Sequence, residues 1–111
     1  EPKYQNLLVS PTKASHVIAI GMKRSEEVKI RVVEEVAAVA CAVQNIYLTA
    51  EAHDVACYWS TGGITYMEGA KSFFSLGEAD KLMGFMIIGK TDKKAGNRKR
   101  TPIKTKTKWI D

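Results

Sequence analysis

The sequence lacks several features that mark particular classes of protein. Its two cysteines, Cys41 and Cys57, are too few for a disulfide framework and do not have the spacing of metal ligands. The longest unbroken apolar run, Val36 to Val43, has eight residues, well short of the roughly 20 that a membrane-spanning helix needs. The first residues have neither the basic start nor the apolar core of a signal peptide. These absences predict a protein of the reducing cytoplasm with no metal site and no membrane span.

What is present is the composition of one globular domain followed by a basic tail. With 45% hydrophobic and 26% charged residues, the 111-residue chain suits a single core and lacks the signature of disorder. Residues 90–111 contain nine lysines and arginines against two acids, whereas the remaining 89 residues carry eight basic and ten acidic groups. A near-neutral body with one cationic segment favours binding of a local anion such as phosphate. A solvated tail that only keeps the protein soluble is the alternative.

Binding of nucleic acid is the weaker interpretation of the same charge. Single-strand binders place aromatic side chains among their basic residues, so that bases can stack on them. No aromatic residue lies between Phe85 and Trp109. The sequence therefore predicts no nucleic-acid partner.

Apolar and β-branched runs predict three strands and a long helix. His16–Met22 follows a proline and is followed by charged residues, which predicts a buried, central strand. From Glu26 to His53 there is no proline or glycine, and apolar residues recur every three or four positions, which predicts one helix with Ser25 as its N-cap. A second strand is predicted at Val55–Trp59 and a third at Met83–Gly89. Between them, two short helical segments are predicted around Tyr66–Phe74 and Glu78–Leu82.

The predicted long helix is apolar or small on every side between Val36 and Val43. A monomer of this size has little material with which to cover two sides of one helix. We therefore expect a second subunit to cover one side, in a symmetric homodimer. A helix lodged centrally in one monomer is the alternative.

A loop with two adjacent glycines, Ser60–Gly63, follows the second predicted strand. Because Gly62 and Gly63 have no Cβ, the N–H groups of this loop can approach a ligand closely. An ordinary tight turn is the alternative.

Four segments share their residues and their order with one known family. They are Ala42–Ala52 with Gln-Asn-Ile-Tyr-Leu-Thr-Ala, Val55–Gly63 ending in Ser-Thr-Gly-Gly, Leu76–Gly89 ending in Gly-x-x-x-x-Gly, and Arg98–Pro102 with Arg-Lys-Arg-Thr-Pro. Together they resemble the C-terminal half of the nitroreductase family of FMN-dependent oxidoreductases. The family's Arg-Arg-Ser element has no counterpart before His16. We therefore expect residues 1–111 to form a single nitroreductase-like domain without the family's N-terminal portion, with residues 90–111 as its basic C-terminal tail.

The resemblance implies an α+β fold in which a small mixed β-sheet packs with a long central helix, in a homodimer. It also implies FMN as cofactor, NAD(P)H as electron donor and a small acceptor such as a nitroaromatic or a quinone. The arginines would hold the phosphate, the glycine N–H groups would face the reactive edge of the flavin, and the two hydroxyl side chains would add hydrogen bonds. Solvated arginines and plain turn residues are the alternatives. The implied cofactor-binding residues are Ser60, Thr61, Gly62, Gly63, Arg98 and Arg100.

The remaining polar residues suggest no catalytic group. Glu34 and Glu35 are adjacent on the predicted helix and diverge by about 100°. His16 and His53 have no nucleophile or carboxylate at a suitable spacing. A catalytically incomplete flavin-fold remnant, acting as a binding or dimerisation module, is the alternative to an enzyme.

Several apolar residues are expected to have packing roles. Cys41, Cys57 and Trp59 lie within apolar segments and are predicted to be packed in the interior, with stacking on a ring as the alternative for Trp59. The end of the tail, Lys108–Ile110, is predicted to anchor on the partner subunit, since an unanchored end would fray.

Overall fold

The structure is a computed structural model that describes residues 14–27, 29–92 and 96–111. Its elements in chain order are β1 (His16–Met22), α1 (Val32–Ala52), β2 (Ala56–Ser60), a 3₁₀ helix (Gly63–Tyr66), α2 (Ala70–Phe73), β3 (Lys81–Gly89) and a 3₁₀ helix in the tail (Ile103–Thr105). One long helix packs on one small sheet. The fold is therefore α+β, as predicted.

The three strands form one antiparallel sheet with β3 in the centre. His16 of β1 lies opposite Ile88, and Ser60 at the end of β2 lies opposite Phe85. Because both outer strands run opposite to β3, they are parallel to each other, and α1 connects them. The prediction of a mixed sheet is wrong for the described strands, since β3 separates the two strands that run in the same direction.

β3 begins at Lys81, earlier than predicted, and its first residues pair with the end of β1. The predicted short helix over Glu78–Leu82 is therefore wrong. A turn precedes the strand, in which the Asp80 carboxylate accepts the Gly77 N–H at 2.7 Å and the Asp80 N–H donates to the Gly77 carbonyl at 3.2 Å. A turn closed by its own aspartate delivers the chain directly into β3.

The other predicted helical segment, around Tyr66–Phe74, is divided in two. The 3₁₀ helix ends at Tyr66, and α2 begins only at Ala70. Gly69 stands between them with φ +85°, a left-handed conformation that interrupts any continuous helix.

α1 begins at Val32, well after the predicted start at Glu26 with Ser25 as N-cap. Glu35 in the first turn of α1 accepts the Ser25 N–H at 2.7 Å and pairs with the Arg24 guanidinium. These bonds fold the segment before the helix back against its first turn, so Ser25 does not cap it. The bonded residues are 10 and 11 positions apart in the sequence, a separation that the helical pattern does not reveal.

The core lies between α1 and the sheet. Ile20 of β1, Val43 of α1 and Met86 of β3 are buried together, and half-buried side chains, including Tyr47 and Trp59, pack around them. Trp59 thus has the packing role that the sequence predicts.

The opposite face of α1 is apolar and uncovered in the single chain. Val33 is 68% exposed, Leu48 is 61% exposed, and Cys41 is also exposed. The predicted burial of Cys41 is therefore wrong for the single chain, because α1 packs on the sheet through the face that carries Val43. By length and composition alone α1 could cross a membrane, a test that the core helix of a soluble protein passes as well.

Candidate functional site

The loop Ser60–Gly63 connects the last residue of β2 to the first residue of the 3₁₀ helix. Thr61, Gly62 and Gly63 are exposed. A Cβ placed on either glycine would meet no atom within 4 Å, so open space lies beside the backbone here. Gly63 has φ +61°, a conformation that other residues rarely adopt. The predicted glycine loop is thus a place where a ligand can reach the main chain.

Two hydrogen bonds of Trp59 fix the end of β2. Its backbone N–H donates to the Tyr47 hydroxyl of α1 at 2.6 Å, and its indole N–H donates to the Met83 carbonyl of β3 at 2.9 Å. β2 is an outer strand, so the Tyr47 hydroxyl accepts a backbone N–H, that of Trp59, which has no partner on a neighbouring strand. The strand that leads into the loop is therefore tied to both the helix and the sheet.

Gly84 of β3 lets the chain of β2 approach closely just before the loop. Its φ is +111°, and a Cβ built on it would lie 2.3 Å from the Ser60 carbonyl oxygen. The pairing of β1 with β3 also shifts next to this point, between Ile20 and Gly21. Only glycine fits such an irregular position, and the position of the Ser60 carbonyl depends on it.

Thr65 holds the far end of the loop. It is 4% exposed, and its hydroxyl donates to the Gly62 carbonyl at 2.8 Å. Thr65 is not among the residues that the sequence predicts for the site. Its position three residues after Gly62 is a weak signal, because threonine often bonds a carbonyl three or four residues back.

Arg98 and Arg100 lie in the tail, and both are exposed. Within the described residues neither has a hydrogen bond or an ion pair. No hydrogen bond in the described part of the chain joins the tail to the loop, the two predicted halves of the site. Trp109 and Ile110, at the end of the tail, are 86% and 90% exposed.

Two carboxylates near the start of β3 have shifted pKa values. The backbone N–H groups of Arg24 and Gly77 donate to Asp80 and hold its pKa below the usual range. The pKa of Glu35 is also lowered, chiefly by the Ser25 N–H and further by the Arg24 guanidinium. Arg24 therefore links the end of β1 to both carboxylates, and this cluster has a structural role.

Burial raises the pKa of the Cys57 thiol in β2. A raised pKa keeps the thiol protonated at neutral pH, and the thiolate is the nucleophilic form. Cys57 thus has the properties of a packed residue, in line with its interpretation from the sequence.

Comparison with known proteins gives the family. The family model described as the nitroreductase family matches residues 5–90, well over half of the chain. The chain belongs to the nitroreductase family. The predicted resemblance to this family is thereby confirmed, and the fourth of the segments that carried it, Arg98–Pro102, lies outside the matched residues.

Nitroreductase relatives of known sequence or structure match most of this chain. A protein named as the NAD(P)H nitroreductase YdjA, from Escherichia coli K12, is 27% identical over 96 residues, which cover 86% of this chain and 52% of YdjA. YdjA of Escherichia coli O157:H7 matches equally. The crystal structure of a nitroreductase-like family protein from Bacillus cereus has a TM-score of 0.73 at 29% identity, covering 85% of this chain and 50% of that chain. The chain thus spans about half the length of the relatives it matches.

Proposed function

We propose that this chain is part of an FMN-dependent oxidoreductase of the nitroreductase type, which transfers electrons from NAD(P)H to a small acceptor such as a nitroaromatic or a quinone. The observation that carries the proposal is the Ser60–Gly63 loop, whose exposed backbone is held at both ends by partly buried hydrogen bonds. Membership of the nitroreductase family and the name of YdjA as an NAD(P)H nitroreductase support the same chemistry.

The donors present suit the two ends of an FMN molecule. The Gly63 N–H makes no hydrogen bond within the described residues and is free to donate to a ring atom. Arg98 and Arg100 carry exposed guanidinium groups, which can bind phosphate oxygens through two parallel hydrogen bonds. When bound, FMN supplies the hydride and electron-transfer chemistry. The chain's own residues bind and orient it.

The proposal includes a homodimer in the cytoplasm. A second copy would cover the apolar outer face of α1, which carries Val33 and Leu48, and would receive the exposed Trp109 and Ile110 of the tail. Such a partner would also offer its own tail, with the two arginines, to the loop of the first chain. Both described cysteines are free thiols, which suits the cytoplasm.

Flavin binding by the purified protein is the test. FMN is added, the excess is removed by desalting, and the visible absorbance is recorded before and after addition of NAD(P)H. We expect retained flavin that bleaches when NAD(P)H is added. The double variant Arg98→Ala/Arg100→Ala should bind FMN about tenfold more weakly or worse, because a hydrogen bond to a charged group contributes about 1.5–3 kcal/mol.

The matched control is Lys104→Ala/Lys106→Ala, which removes the same charge from two other exposed positions of the tail. We expect it to bind FMN as the wild type does. Protein that stays colourless after addition of FMN would contradict the proposal. Retained flavin that NAD(P)H does not bleach would indicate a binding or dimerisation module in place of an enzyme.

A further inference from the structure

Thr65 is placed so that it controls one peptide group of the candidate loop. It is one of two buried polar residues in the described part of the chain. Its hydroxyl donates to the Gly62 carbonyl at 2.8 Å, and its backbone N–H donates to the same oxygen at 3.3 Å. Two donors of one buried residue therefore fix the direction of this carbonyl.

The direction of the Gly62 carbonyl also sets that of the Gly63 N–H, because the two belong to the same peptide group. The described chain has no cis peptide bond, and in a planar trans peptide the C=O and N–H bonds point in opposite directions. A carbonyl held toward the buried Thr65 turns the Gly63 N–H to the other side. The Gly63 N–H has no hydrogen-bond partner among the described residues, and a Cβ built on Gly63 would meet nothing within 4 Å.

We propose that Thr65 is a positioning residue, whose buried hydroxyl orients the Gly62–Gly63 peptide so that the Gly63 N–H faces a bound flavin. This inference rests on the proposed function, because it takes FMN as the ligand. Thr65 itself does not touch the ligand. A loop that is already ordered loses less conformational freedom on binding, so the hydroxyl increases affinity through preorganisation.

Burial distinguishes Thr65 from a residue with the same local bond elsewhere. The Ser72 hydroxyl of α2 donates to the Gly69 carbonyl, also three residues back, at 2.7 Å, but Ser72 is exposed. Water competes for an exposed hydroxyl, whereas a hydrogen bond shielded from water is stronger. Ser72→Ala is therefore a matched control that removes a bond of the same kind outside the loop.

The experiment compares wild type, Thr65→Val, Thr65→Ser and Ser72→Ala by two measurements. The first is the ¹⁵N order parameter of the Gly63 N–H in protein without flavin, and the second is the Kd for FMN from a flavin fluorescence titration. In Thr65→Val we expect the order parameter to fall from about 0.85 to below about 0.6. We expect FMN to bind that variant about three- to tenfold more weakly, the effect of one lost hydrogen bond. Thr65→Ser keeps the hydroxyl and, like Ser72→Ala, should match the wild type in both measurements.

Three results would overturn the proposal in protein that binds FMN. In the first, Thr65→Val has the Gly63 order parameter and the Kd for FMN of the wild type. In the second, Thr65→Val has a lower order parameter but binds FMN as tightly as the wild type. The third is Thr65→Ser with a loosened loop and weakened binding, since packing of the methyl group would then be the cause. This third comparison decides the matter if Thr65→Val does not fold. Wild-type protein that binds no FMN would contradict the proposed function itself, and with it the ligand named here.

Discussion

Gly84→Ala is a substitution for which the structure predicts a large loss of stability. The added Cβ would lie 2.3 Å from the Ser60 carbonyl oxygen and 3.1 Å from Trp59 Nε1. The φ of +111° adds a strain of about 1–3 kcal/mol for any residue with a side chain. Ser60 would have to move by about 1 Å to reach ordinary contact distance. That shift weakens a strand hydrogen bond that contributes about 0.5–1.5 kcal/mol. Together these effects predict a loss of about 2–4 kcal/mol.

Urea unfolding followed by far-ultraviolet circular dichroism measures this loss, because the unfolding free energy falls linearly with urea concentration. Gly96→Ala is the control, since a Cβ there would meet nothing within 4 Å. We expect the control to change the unfolding free energy by no more than about 0.5 kcal/mol. If Gly84→Ala were as stable as Gly96→Ala, β2 and β3 could not approach at Ser60 as closely as described. Gly84 would then not fix the position of Ser60 at the start of the loop.

Two further predictions concern acid stability and assembly. The lowered carboxyl pKa values of Asp80 and Glu35 stabilise the fold fully above their unfolded pKa values near 4 and lose this effect as the pH falls through the lower folded values. The urea midpoint of the wild type should therefore fall between pH 7 and pH 3, and the midpoint of Asp80→Asn should fall less. If both midpoints fell equally, Asp80 would be excluded as a cause of the acid sensitivity. Leu48→Glu, on the uncovered face of α1, should convert a dimer to a monomer in light scattering, whereas Lys29→Glu, outside the helix, should not. A wild-type monomer would refute this assignment of the face.

The elements that the sequence predicts well are those set by local pattern. β1 has the predicted boundaries, His16–Met22, because a short β-branched run between polar residues favours a strand. Its predicted central, buried position is wrong for the single chain, since β1 is an outer strand and only Ile20 and Met22 of it are buried. The end of α1 also lies close to the predicted position, at Ala52 beside His53. The family was evident as well, because the four segments that carry the resemblance are continuous in the sequence.

The predictions that failed depend on contacts between distant residues. α1 begins later than predicted because Glu35 in its first turn binds Arg24 and Ser25. β3 begins earlier than predicted, at Lys81, because the end of β1 pairs with it. The exposure of Cys41 depends on which side of α1 the sheet occupies.

The candidate site was only partly predictable for the same reason. The glycine pair Gly62–Gly63 is visible in any reading of the sequence, but the roles of Thr65 and Gly84 are not. The burial of Thr65 and the φ of Gly84 are consequences of the assembled sheet. The roles of Arg98 and Arg100 remain predictions, since neither residue has a hydrogen bond or an ion pair within the described residues.

The central position of β3 determines when this protein can fold during synthesis. In the described sheet β1 and β2 pair with β3 and not with each other, and the Ser15 N–H and Ile88 carbonyl that extend the pairing are 73 residues apart. Contacts between such distant residues form slowly, because a long loop must close first. β1, α1 and β2 all leave the ribosome before β3 does. Until Gly89 has emerged, the sheet has no centre and the helix has no complete surface to pack on. The nascent chain must therefore pass through a stage in which its apolar faces are open to aggregation.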